Sequence, residues 1–176
     1  MNERRNLFRA GIAVLILLLY LACRPSFLVF KIEDADSGKL MFSCGVEPGF
    51  EFYTMIRHSV QRTPVYEFYR VEPDGSLVVT KTSLQDLGWG MPSTLQGPVT
   101  FTEGFMVMEN INRRLNALFF RVSYLAEPRL MVKEKEITLD EFVPDGQLLK
   151  IHIDKEPWLY RILRGNTDVF QEKGKN

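Results

Sequence analysis

Past residue 26 the chain settles into short runs in which apolar and polar side chains alternate, the period of a half-buried β-strand. Residues 27–32 and 39–44 are apolar runs separated by a segment rich in Asp, Ser and Gly, so the pair reads as a hairpin. Over 50–60 the alternation is regular, with Phe52, Thr54, Ile56, His58 and Val60 on one face and Tyr53, Met55, Arg57 and Ser59 on the other. After Gln61 to Pro64 comes a second strand at 65–72, and Pro73-Asp74-Gly75 turns the chain back into a third at 77–82, giving a meander. Further strands are expected at 101–109, 118–125, 129–133, 137–142 and 148–153, with a turn of helix at 110–116. Residues 87–98, rich in Gly and Pro, read as an ordered loop, residues 158–164 as a last strand or a short helix, and the polar end as frayed. About ten short strands, with no long amphipathic helix among them, define an all-β chain. The expected architecture is an antiparallel β-sandwich or partly open barrel, preceded by an N-terminal hydrophobic helix.

That helix comes from a different kind of sequence. Arg4, Arg5 and Arg9 precede an unbroken apolar run from Ala10 to Cys23, the layout of an export signal or signal anchor. The run is short for a span, and Arg24 with Pro25 interrupts it. Leu21-Ala22-Cys23 also matches part of a bacterial lipoprotein box, which makes Cys23 a candidate for lipidation. Cleavage, lipidation and retention all export the β-rich remainder of the chain, and the basic residues place it on the extracytoplasmic side of the cell membrane. The expected organisation is a signal peptide or signal anchor at 1–23, an extracytoplasmic β-domain at 24–165 and a flexible tail at 166–176.

Composition narrows the function. The 176 residues carry 22 basic and 22 acidic side chains, so no net field draws the chain to nucleic acid. Apolar residues at 45% and charged residues at 25% exclude a disordered chain and a polytopic membrane protein. With two Cys and two His in all, and Cys23 in the leader, no all-Cys/His zinc site of four ligands is expected within the β-domain. No metal and no cofactor is expected. Cys44, in an apolar run, reads as a small core residue.

Candidate chemistry centres on His58. His58 and Ser59 are neighbours on a strand and point to opposite faces, so His58 cannot activate Ser59 without a bulge. If Gln61 to Pro64 is a four-residue loop, Val60 faces Val65, His58 faces Glu67 and Ile56 faces Tyr69, and a cross-strand His–carboxylate pair results. The second unusual segment is Leu87-Gly88-Trp89-Gly90-Met91-Pro92, where two glycines free the backbone and Trp89 offers a large amphipathic surface. It is either a tight corner sealing the sandwich or a loop for a ligand or partner, expected to pack near the His58–Glu67 pair.

Taken in order, His58-Ser59-Val60, Thr63-Pro64-Val65-Tyr66-Glu67, Tyr69 and Gly88-Trp89-Gly90-Met91-Pro92 resemble domain of unknown function 1850, a family of small exported proteins. The resemblance covers roughly residues 38 to 155. It implies an accessory role beside permeases of TAXI-type tripartite ATP-independent transporters and identifies no catalytic residue. The expectation is a non-enzymatic extracytoplasmic accessory that binds the permease or its solute-binding protein, associated with the membrane through its N-terminal segment. The alternatives are an exported ligand-binding module, which needs an apolar pocket near Trp89, and an envelope hydrolase using His58 and Glu67.

Overall fold

The computed structural model describes residues 2–23, 25–58, 61–85, 98–157, 162–163, 165–168 and 170. A helix, α1 (Asn2–Cys23), is followed by twelve strands: β1 (Pro25–Asp34), β2 (Leu40–Val46), β3 (Glu51–Arg57), β4 (Pro64–Val71), β5 (Leu77–Leu84), β6 (Val99–Thr102), β7 (Phe105–Leu115), β8 (Ala117–Arg121), β9 (Arg129–Val132), β10 (Lys135–Thr138), β11 (Leu148–Pro157) and β12 (Thr167–Asp168). The strands form two antiparallel sheets, one of five strands in the order β12-β2-β1-β11-β8 and one of seven in the order β10-β9-β3-β4-β5-β7-β6. Each sheet ends in two edge strands, so the sandwich is open and the barrel alternative is set aside.

The N-terminal expectation is corrected in part. The helix forms, but no helix among the described residues is long and apolar enough to cross a membrane. Its first two turns are charged, and its apolar stretch rises only roughly 21 Å at about 1.5 Å per residue, against ~30 Å of hydrocarbon. Its apolar side chains from Val14 to Leu19 are all more than half exposed.

The core lies between the sheets. From the five-stranded sheet come Phe30, Ile32, Leu149 and Ile151, each fully buried, and from the other come Phe52, Tyr69, Val71, Val79, Leu130 and Val132. Phe30 meets Phe52 edge-on at 5.0 Å between ring centroids, and Phe52 stacks on Tyr69 at 4.9 Å. Such aromatic contacts add about 0.5–1.5 kcal/mol to what burial alone contributes. Asn116 carries the chain from β7 in one sheet to β8 in the other. At the far end Thr167–Asp168 pairs with β2 and Phe170 packs edge-on against Phe142, so the packed domain reaches past residue 165.

Three local expectations change. The strand expected at 101–109 is broken by Glu103 and Gly104, whose φ values of 52° and 80° form a two-residue hairpin turn between β6 and β7. The helical turn expected at 110–116 is instead a bulged continuation of β7. Val79 pairs with Arg113 and Lys81 with Glu109, leaving residues 110–112 opposite Thr80, with Asn110 and Asn112 in the left-handed region that Asn tolerates. The strand expected at 118–125 ends at Arg121, before a 3-10 turn at Tyr124–Ala126.

Candidate functional site

The β3–β4 hairpin does not pair His58 with Glu67. Its register sets Phe52 against Tyr69, Thr54 against Glu67 and Ile56 against Val65, and pairing stops at Arg57 and Pro64. The connection is therefore longer than four residues. The His58 N–H donates to the Thr63 carbonyl at 2.8 Å, and the Arg62 N–H to the His58 carbonyl at 2.9 Å, with Arg62 at φ 60°. Glu127 holds this turn from outside: one carboxylate oxygen accepts from Arg57 Nε at 2.7 Å and the other from Arg62. The shift along β4 is four positions, an even number, so the residues keep their faces although the partners change.

What forms instead is a polar row across the inner face, with Thr54, Glu67 and Thr82 side by side on β3, β4 and β5. The Tyr69 hydroxyl donates to Glu67 Oε2 at 2.8 Å and also shares a hydrogen bond with the Thr54 side chain. Arg113 Nη2 stands 3.7 Å from the other Glu67 oxygen. Burial pushes the Tyr69 phenol well above its ordinary range, and the Glu67 charge adds to the effect. Tyr69 thus keeps its proton at neutral pH and serves as a fixed donor, which ties Glu67 to Tyr69 and not to His58. Ser59 and the segment Gly88, Trp89, Gly90 and Pro92 lie outside the described residues, and with them the expected packing of that loop. Cys23 is an exposed free thiol at the end of α1. Among the described residues no three His, Cys, Asp or Glu side chains gather to hold a metal.

The two outer faces differ in chemistry. On the five-stranded sheet, Lys31 bridges Asp154 at 2.8 Å and Glu156 at 2.7 Å, and His152 Nε2 lies 3.4 Å from Asp154 and 3.7 Å from Glu33. This is the polar exterior that an antiparallel sandwich ordinarily turns to water. On the seven-stranded sheet the corresponding face carries Tyr53, Met55, Tyr66, Phe68, Phe105 and Met131. The Tyr53 and Phe68 rings lie 5.2 Å apart, and Tyr66 and Phe105 6.0 Å. Lys81 Nζ sits 3.9 Å over the Phe68 ring. Together with Ser83 these rings line an open hollow of about 340 Å³. Period-two reading assigns β3 and β4 one apolar face each and passes over this surface. Its signal is Val65-Tyr66-Glu67-Phe68-Tyr69, where bulky apolar residues fall at both parities.

Fold and face together define an open β-sandwich with an aromatic surface on one side and an ion-paired surface on the other. The chain belongs to the family described as domain of unknown function (DUF1850), whose model matches residues 52–139. That span takes in every strand of the seven-stranded sheet, β3 lacking only Glu51, together with β8, and leaves out β1, β2, β11 and β12. No curated protein and no solved structure matches the chain.

Proposed function

We propose that the protein is a non-enzymatic, membrane-associated accessory of a TAXI-type tripartite solute transporter, acting on the extracytoplasmic side and binding the permease or its solute-binding protein. The observation that carries this reading is the aromatic outer face of the seven-stranded sheet. Contiguous exposed apolar surface marks interaction sites, and Tyr and Phe are enriched at protein interfaces. The face lies within the family-matched span. The basic, apolar leader supports export, and Cys23 supplies a second means of attachment if it is lipidated.

The hydrolase alternative loses its premise, because Glu67 faces Thr54 and accepts from Tyr69. The ligand-binding alternative asks for an apolar pocket near Trp89, outside the described residues, and the aromatic hollow is open, whereas small-molecule sites enclose most of the ligand. Two measurements test the proposal. Deletion of the gene is expected to impair uptake through the neighbouring permease, and purification from native membranes is expected to bring the permease or the binding protein with it. Unchanged uptake with neither protein recovered would overturn it.

A further inference from the structure

Among the described residues Lys81 is the one charged side chain that lines the aromatic hollow, with Tyr53, Tyr66, Phe68, Ser83 and Phe105. Its ammonium rests on the Phe68 ring, and no ion pair involves it among the described residues, although Glu109 stands opposite it in the strand register. We propose that this hollow docks a protein segment presenting a carboxylate between apolar side chains, with Lys81 receiving the carboxylate and the surrounding rings receiving the apolar neighbours. The inference deepens the accessory-protein reading and rests on it for the existence of a protein partner.

Charge and shape both point to such a segment. A partner that covers these rings also strips water from Lys81, and an ammonium buried without a counter-charge is costly. A cation–π contact is too weak to replace its hydration fully, whereas a carboxylate restores both the charge balance and the hydrogen bonds. An apolar or basic segment of the same shape would leave the ammonium uncompensated, so Lys81 selects for acid and against its absence. Ser83 lines the same hollow and offers a hydroxyl as a second donor. Shape favours a protein over a small molecule, since the hollow is open and its lining residues are all half-buried rather than enclosed. Tyr and Phe anchors around a desolvated charge also match the composition of interface hot spots.

The test places a photo-crosslinking amino acid at Ser83 or Phe105 of the full chain in its native membrane and maps the crosslinked peptide by mass spectrometry. The expected peptide belongs to another protein and contains Asp or Glu flanked by apolar residues. Lys81→Glu and Lys81→Met are expected to reduce the crosslink about tenfold or more, the scale of losing one hot-spot contact, while Lys81→Arg retains most of it. Reversing the partner's acid to Lys is expected to restore crosslinking to Lys81→Glu. An acid-bearing peptide from a protein unrelated to the transporter would sustain this inference and overturn the transporter reading. A permease or binding-protein peptide without an acid, or one unaffected by Lys81→Glu, would do the reverse. A crosslink between two copies of this chain, or none at either position, overturns the inference.

Discussion

Lys31 and Lys81 each project from the solvent side of a sheet, yet they have opposite surroundings. Lys31 is only 13% exposed in its side chain and is held by two carboxylates, while Lys81 lies on an aromatic ring with no carboxylate bridging it among the described residues. The difference extends to the faces around them. The exterior of the five-stranded sheet ties β1 to β11 through ion pairs between their own side chains. The exterior of the seven-stranded sheet instead carries half-buried rings around Lys81. A surface whose charges are paired internally is committed to the fold; the aromatic face has such pairs at its margins, Arg70–Glu72 and Arg129–Glu136, while Lys81 and the rings around it are left available for binding.

The largest expected effect breaks the first surface. Lys31→Met leaves Asp154 and Glu156 facing each other without their cation, and about 2–3 kcal/mol of stability should be lost, somewhat below the range for a fully buried pair. Its pH dependence identifies the cause. Burial works against the Lys31 ammonium, but Asp154 and Glu156 outweigh it and raise it above its ordinary 10.5. That contribution is complete below pH 10.5 and fades as pH climbs through the raised folded-state value. Burial likewise opposes the Asp154 carboxylate, but Lys31 prevails and holds it below its ordinary 3.8, so its contribution is present above that pH and fades as pH falls through the depressed value. The gap between wild type and Lys31→Met in denaturant melts should therefore be flat between pH 3.8 and 10.5 and narrow at both ends. A gap that does not depend on pH would mean that Lys31 acts through packing of its stem.

Tyr69→Phe comes next and probes the inner face beneath the aromatic exterior. It keeps the stack on Phe52 but removes the donor to Glu67 and the link to Thr54. The expected loss is about 1–2 kcal/mol, because Glu67 is part-exposed and water replaces some of the bond. A neutral result would assign Tyr69 to packing alone.

These residues also show how far the fold is legible in the chain. The strands at 65–72 and 77–82 follow from alternation and from Pro73-Asp74-Gly75, whose Asp74 accepts from the Ser76 N–H and whose Gly75 adopts φ 89°. Both signals are local. The β3–β4 register is not legible, because the turn between them is held by Glu127, 70 residues from Arg57 and 65 from Arg62. A loop length fixed by a distant carboxylate leaves no trace in the hairpin's own sequence. Pattern alone puts Glu67 and Tyr69 on one face and partners them wrongly for that reason. The aromatic exterior escapes on other grounds: alternation implies one buried face per strand, and the bulky residues at both parities over 65–69 do not state whether the second face is covered or open.

Glu127→Gln tests that distant clamp. The pairs are partly exposed, so the global loss should be only about 0.5–1 kcal/mol. The local effect should be larger than the global one: hydrogen exchange at the His58 and Arg62 amides, which close the turn, is expected to quicken while β3 and β4 stay protected. Uniform quickening across the hairpin would show that the turn and the strands open as one unit.

The smallest expected change in stability is at Lys81, and it is the one that most sharpens the contrast with Lys31. Lys81→Met keeps most of the apolar stem over Phe68 and deletes only the charge. The cost is then a single cation–π contact on an open surface, about 0.5 kcal/mol, offset in part by the apolar replacement. Denaturant midpoints of Lys81→Met and wild type should nearly coincide at neutral pH. The same Lys-to-Met change would thus cost several times more on the ion-paired face than on the aromatic one, although both lysines stand on sheet exteriors. A loss at Lys81 as large as that at Lys31 would mean that its charge belongs to the fold's own electrostatics, and the case for an external carboxylate would go with it.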